Sequence, residues 1–270
     1  DGDWSSDVCS SDLKTSSGSS LARWKALEET GEIPSWPTTT VVEYAANPKF
    51  VRALSERIDE GLQRFPRNRR DDVRLLFSAH GTALRDRERR KDPYCCLVHS
   101  TVEQVMRHRE RDRVFRTAFQ EASGFRNGLT PTTREVLGEW AERDVESVLV
   151  VPVAFVTDHF ETNYVLDIKV REAAEAAGIY HYEVTAALNT HPLFIEALGE
   201  ATIAQLELPV DVNQLRVGGN GLSQDYPLRP LDELPRHDPR IREAHCPSCG
   251  QNAAARCWTA PDEKSQAEAP

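Results

Sequence analysis

Nine consecutive apolar residues, Val148 to Val156 (VLVVPVAFV), stand between Glu146-Ser147 and Thr157-Asp158. A run without polar alternation has no face to give to water, so Val148 to Phe155 predicts a β-strand buried on both sides. The run contains Pro152 and falls well short of the roughly 18 residues needed to span a bilayer. A doubly buried strand needs helices on both faces of its sheet, and the rest of the chain offers them. Val73 to Ser78 (VRLLFS) and Val114 to Phe119 read as further strands, and Thr38 to Tyr44 (TTTVVEY) as a short β-branched one. Helical spacing marks Ser19 to Glu29, with Leu21, Trp24 and Leu27, and Lys49 to Phe65, where Phe50, Leu54, Ile58 and Leu62 recur behind Asn47-Pro48. Val102 to Arg109, Thr133 to Glu142 and a last segment opening near His191-Pro192 are also helical by pattern. Strands alternating with helices predict βαβ units: an α/β fold with a Rossmann-like parallel sheet flanked by helices.

A chain of 270 residues is long enough for a sizeable core. Its 43 acidic against 33 basic residues give a net charge of -10, which argues against a general nucleic-acid binder. No basic segment leads into an apolar one at the start, so a cytoplasmic location is expected. The six cysteines are therefore read as thiols or metal ligands before disulfides. Asp3 to Leu13 (DWSSDVCSSDL) has no periodicity and resembles the in-frame translation of a sequencing-library adapter. On that reading residues 1–13 are an artefact, Cys9 carries no function and the gene's own beginning lies upstream of Lys14. Residues 14–208 are expected to form the α/β fold. Residues 209–270, with Gly218 to Gly221 (GGNG) and several prolines, are expected to be a linker and a Cys-bearing tail.

In open α/β sheets ligands bind beyond the carboxyl ends of the strands, so polar residues directly after buried strands carry weight. VRLLFS leads into Ala79-His80-Gly81, and VLVVPVAFV into Thr157-Asp158-His159-Phe160-Glu161. Either histidine alone is an ordinary surface or core residue; two at equivalent strand ends, one beside two carboxylates, point to chemistry. Imidazole takes or gives a proton near neutral pH and ligates divalent metals, and a nearby carboxylate raises its basicity. Ser78 lacks the G-x-S-x-G turn of a hydrolase nucleophile. GGNG lacks the preceding strand and third glycine of a dinucleotide site.

Four segments carry a resemblance: LLFSAHG at Leu75 to Gly81, KDPY at Lys91 to Tyr94, LVVPVAFVTDHFETNYVLDI at Leu149 to Ile168, and LNTHPLFIEAL at Leu188 to Leu198. Together, in one register from about Ser16 to Leu208, they resemble ferrochelatases, the lyases that insert ferrous iron into a porphyrin in haem biosynthesis. The resemblance implies a chelatase-like fold of two similar halves, of which this chain holds mainly the second. It implies that His80 is the cleft histidine, acting as pyrrole-proton base or metal ligand, and that Asp158, His159 and Glu161 face it, with Glu161 also toward the metal. Protoporphyrin IX and coproporphyrin III are both open as substrate, and a poorly soluble product is compatible with peripheral membrane association. Turnover is not expected without the other half.

The sequence departs from the family pattern in places. Where further glutamates follow Glu161 at the next two turns, Val165 and Lys169 stand here. The glycine-proline-tryptophan segment is represented by Gly124 to Leu129 (GFRNGL), with Phe125 as the one aromatic. A porphyrin carrier that kept the fold and lost the chemistry, or a cobalt or nickel tetrapyrrole chelatase, are the alternative readings. Arg85 to Lys91 (RDRERRK) reads as a solvated loop placed to meet propionates.

In the tail, Cys246, Cys249 and Cys257 form C-x2-C-x7-C, a metal-binding spacing. The resemblance extends to ferrochelatases with a [2Fe-2S] cluster on such an extension, held by three cysteines there and one upstream. Cys95 or Cys96 could supply the fourth ligand, although adjacent buried thiols of the core are the simpler reading. A zinc site of three cysteines with His245 or another histidine is the rival.

Overall fold

The computed structural model describes residues 18–35, 41, 44–45, 47–81, 94–120 and 128–205. Helix α1 spans Gly18–Glu29, and α2, Pro48–Leu62, begins at the cap expected from Asn47-Pro48. The Asn47 carboxamide oxygen accepts the amide protons of Lys49 (2.9 Å) and Phe50 (3.3 Å), and Pro48 occupies the first turn, where a missing N–H costs nothing. A 3-10 turn over Arg67–Asp72 leads into β1, Arg74–Ala79. Then follow α3 (Tyr94–His108), β2 (Phe115–Phe119), α4 (Thr133–Ala141) and β3 (Ser147–Pro152). A π-helix, Glu161–Val170, runs directly into α5, Arg171–Ala177, followed by β4 (His181–Val184) and α6 (Pro192–Gln205).

The four strands form one parallel sheet in the order β2-β1-β3-β4. Side chains alternate across it. Leu75, Phe77, Phe115, Phe119, Leu149 and Val151 join an apolar cluster with α2, α3 and α6, among them Phe50, Ile58, Val102, Met106 and Phe194. Leu76, Ala118, Val148, Val150, Tyr182 and Val184 join a second cluster with Trp140 of α4, Leu166 of the π-helix and Ala174 of α5. The doubly buried β3 predicted from its composition is thus the centre of a three-layer α/β/α sandwich.

Boundaries differ from the sequence expectations for physical reasons. β3 ends at Pro152 instead of Phe155: the Val153 amide still donates to the Ser78 carbonyl of β1 (2.9 Å), but Pro152 has no N–H to offer its other neighbour, β4. Helix α3 starts eight residues before Val102, at Tyr94, directly after the Asp92-Pro93 pair in the sequence. β4 has no counterpart among the expected strands: four residues on the sheet edge give two buried positions, too little to register as a pattern. Of Thr38 to Tyr44, only residues 41 and 44 are described, and the tail from residue 206 onward, with its cysteines, lies outside the described residues. Cys95 is fully buried in the first apolar cluster, as a core thiol would be.

Two polar ties lock α2 to α6. Lys49 Nζ lies 2.7 Å from Glu196 and 3.0 Å from Glu200, and the Asn47 amide donates to Glu200 at 3.0 Å. At the other end His191, buried just ahead of α6, sets Nε2 3.3 Å from Glu56 while its Nδ1 finds no hydrogen-bond partner among the described residues. Burial, helped by the neighbouring Arg57 charge, lowers the His191 pKa against the opposing pull of Glu56 and Glu60. The folded state therefore binds this proton less readily than the unfolded chain. Its stabilising share is complete above the unfolded value of about 6.5 and is lost as pH falls through the lower folded value. His191→Asn is expected to flatten this part of the acid limb, read as the wild-type-minus-variant difference in urea midpoint between pH 7.5 and pH 5. An unchanged difference would remove His191 as its source.

Candidate functional site

Strand order decides where the chemistry sits. From β1 the chain passes through α3 to β2 on one side, then crosses back through α4 to β3 on the other side of β1. The connections leaving β1 and β3 thus lead to opposite sides, and the carboxyl edge between these adjacent strands is the usual ligand position in such sheets. His80 is the first residue after β1; the 157–161 segment follows β3. The two predicted histidine segments thus lie at one switch point.

Phe155 stands between them. Its ring meets the exposed His80 imidazole edge-to-face, with centroids 6.0 Å apart at 78°, and the half-buried His159 imidazole at 4.4 Å and 81°. The apolar run predicts Phe155 inside the strand; ending β3 at Pro152 turns it toward the site. Tyr94, the last residue of KDPY, donates its hydroxyl proton to the His80 carbonyl at 3.0 Å and ties the start of α3 to the end of β1.

His159 and Glu161 lie in hydrogen-bond contact. His159 Nδ1 lies 3.1 Å from Glu161 Oε2 and 3.2 Å from the Glu161 backbone nitrogen. Nδ1 can accept the amide proton or, when it carries a proton, donate to the carboxylate, so the pair is a ready place to hold or pass one proton. Thr162 fixes the turn: its hydroxyl accepts the His159 amide proton (2.8 Å) and donates to the His159 carbonyl (3.0 Å).

Asp158 has other partners. Its Oδ1 accepts the Ala187 amide proton (3.0 Å), its Oδ2 accepts from the Asn189 carboxamide (2.7 Å), and its own amide donates to Asn189 Oδ1 (3.0 Å). Asn189, in the LNTHPL segment, is not among the residues that the sequence singles out, although a left-handed residue is a common place for asparagine and Asn189 has φ 48°.

The helix after Glu161 is a π-helix, a form concentrated at functional sites. Val165 is half-buried on it. Lys169 is exposed, with Nζ 3.2 Å from Glu172 and 5.7 Å from the Tyr164 ring centroid, and hydrogen bonding to Glu172 raises its pKa. The buried Tyr182 hydroxyl donates to the Leu166 carbonyl at 2.9 Å and braces this helix against β4. Ser78 is fully buried, with its oxygen 3.3 Å from Thr133 Oγ1, which keeps it away from the exposed edge. Among the described residues no cluster of three or more His, Cys, Asp or Glu side chains could hold a metal ion.

Relatives give this geometry its context. The ferrochelatase family profile matches residues 11–206. The chain is 37% identical over 167 residues to the ferrochelatase of Gloeobacter violaceus, covering 62% of this chain and 50% of that protein. It is 33% identical over 197 residues to the ferrochelatase of Trichodesmium erythraeum, covering 73% and 50%. The chain thus spans about half the length of the curated relatives it matches. The solved structure of SirB from Bacillus subtilis with Fe3+ is similar at a TM-score of 0.50 and 14% identity, over 73% of this chain and 69% of that one, which speaks to the fold. On the extent of the profile match, the chain belongs to the ferrochelatase family.

Proposed function

We propose that the native gene product inserts Fe2+ into a porphyrin, protoporphyrin IX or coproporphyrin III, and that this chain supplies the half bearing the facing histidines. The observation that carries the reading is the placement of His80 and the His159–Glu161 pair on either side of Phe155 at the switch point. A porphyrin must release two N–H protons as the ion enters between its nitrogens. His80, exposed at this sheet edge, is the base that takes one proton and passes it to solvent; the His159–Glu161 pair on the other side of Phe155 offers nitrogen and oxygen donors to the incoming ion and a place for the second proton. The Phe155 ring adds an apolar surface for the macrocycle.

The test is anaerobic ferrous insertion into both porphyrins by the native gene product. Insertion with a clear preference for iron over cobalt and nickel is expected. Preference for either rival metal would favour the cobalt or nickel chelatase. Tight porphyrin binding without insertion would favour the carrier reading, which is supported by Lys169: it is paired with Glu172 at 3.2 Å and stands where the resemblance implies an acid. In that case Val165→Glu and Lys169→Glu are the first changes to make.

For the tail, we propose that Cys246, Cys249 and Cys257 give three thiolates to a [2Fe-2S] cluster, a group that supplies one-electron redox chemistry when bound. Cys95, packed among apolar side chains of the first cluster, fits a core thiol better than the fourth ligand. Iron and acid-labile sulfide in equal amounts after anaerobic purification are expected; zinc without sulfide would assign a Cys3His site with His245 instead. A cytoplasmic location with peripheral attachment to a membrane accords with a poorly soluble product, and no helix among the described residues is long and apolar enough to cross one.

A further inference from the structure

Asp158 neighbours the reactive pair, yet its carboxylate is engaged on both oxygens by the loop after β4. Ala187 donates to Oδ1, Asn189 donates to Oδ2, and Asn189 Oδ1 returns a bond to the Asp158 amide. A fourth bond, from the Asn189 amide to the Val156 carbonyl at 2.7 Å, closes the same junction. These four bonds join the segment that carries His159 and Glu161 to the segment that opens α6, which is itself held to α2 through Arg57 on the Leu188 carbonyl (3.2 Å) and Glu56 beside His191 (3.3 Å). The turn carrying the pair is thereby tied to an element anchored in the core.

A carboxylate whose two oxygens both accept hydrogen bonds from one loop, at 3.0 and 2.7 Å, is spent on holding that loop and is turned toward it and not toward a substrate. From these bonds we infer that Asp158 is a positioning residue: with Asn189 it forms a reciprocal lock that holds the His159–Glu161 pair beside Phe155, and it neither takes a pyrrole proton nor binds the iron. The kinetic test of this inference rests on the chelatase reading; its structural test does not.

The bond pattern allows an exchange. In Asp158→Asn the new carboxamide still accepts from Ala187 but turns its NH2 group toward that of Asn189, donor against donor. In Asn189→Asp two carboxylates confront each other. In the double variant Asp158→Asn with Asn189→Asp all three side-chain bonds re-form with one polarity reversed. The carboxamide of residue 158 accepts from Ala187 and donates to the new carboxylate, whose other oxygen accepts the amide proton of residue 158. The negative charge has then left position 158 while the lock remains.

Each single variant is expected to lower insertion by about 100-fold, the size of a displacement of reacting groups by about 1 Å. The exchange is expected to return it to within about threefold of wild type, a non-additivity that marks a direct pair. An exchange as slow as Asp158→Asn would overturn the inference by showing that the carboxylate itself is required. So would an Asp158→Asn variant of unchanged rate.

In parallel, the ring 15N shifts of His159, which report which nitrogen carries the proton, are measured on this chain without porphyrin. They are expected to move in Asp158→Asn and to return in the exchange. Unmoved shifts in Asp158→Asn would overturn the lock on their own. If wild type fails to insert iron, the chelatase reading falls and the 15N result alone decides the lock.

Discussion

Replacing His80 with alanine in the native gene product is expected to lower ferrous insertion by about 10²- to 10⁴-fold, the span by which a positioned base accelerates proton transfer. His80 is exposed at the carboxyl edge of β1, so its side chain fills no core volume. The hydrogen bond from Tyr94 goes to its carbonyl and survives the substitution. The fold and the edge-to-face pair of Phe155 with His159 are therefore retained. Porphyrin binding, followed by fluorescence quenching, should change much less than the insertion rate. A rate within about threefold of wild type would show that the pyrrole protons leave by another group, and the His159–Glu161 pair would be the next to replace. A parallel loss of binding and rate would assign His80 to holding the macrocycle.

Trp140→Ala is expected to lower folding stability by about 3–5 kcal/mol, the range for deleting a buried aromatic. Trp140 is fully buried and contributes the largest side chain to the smaller of the two apolar clusters, the one that joins α4 to the sheet and to the π-helix layer. The Arg74 guanidinium lies 5.7 Å from the centre of its ring, a cation–π interaction that the substitution also removes. Against a total stability of about 5–15 kcal/mol, a destabilisation on this scale lowers the thermal midpoint by on the order of 10 °C. Arg52→Ala, which breaks an exposed pair with Glu56 on α2, serves as the control and should cost under about 1 kcal/mol. Equal shifts for the two variants would mean that the α4 layer is not held by its apolar packing.

Much of this architecture is legible in the chain because burial leaves a periodic trace. The unbroken apolar run of β3 announces helices on both faces, and α2 announces itself through Phe50, Leu54, Ile58 and Leu62 behind an Asn-Pro cap. β4 leaves no such trace, because two buried residues cannot define a period. The π-helix is equally hidden: its i→i+5 bonding is a property of the backbone, and Glu161 to Val170 would serve an α-helix as well. Asp158 illustrates a different limit. Its residue type fits an acid cluster, a metal ligand or a loop brace equally, and only its partners at Ala187 and Asn189, about thirty residues downstream, distinguish them.

The order of residues is enough to establish that two histidines follow two buried strands, and the parallel sheet implied by those strands sends both to one edge. It is not enough to establish that they meet. Their separation across that edge depends on strand order, and periodicity reports which face of a strand is buried but not which strand lies beside it. The crossing of α4 that returns the chain past β1 makes β1 and β3 neighbours, and that choice of topology sets His80 and His159 against a shared phenyl ring, Phe155.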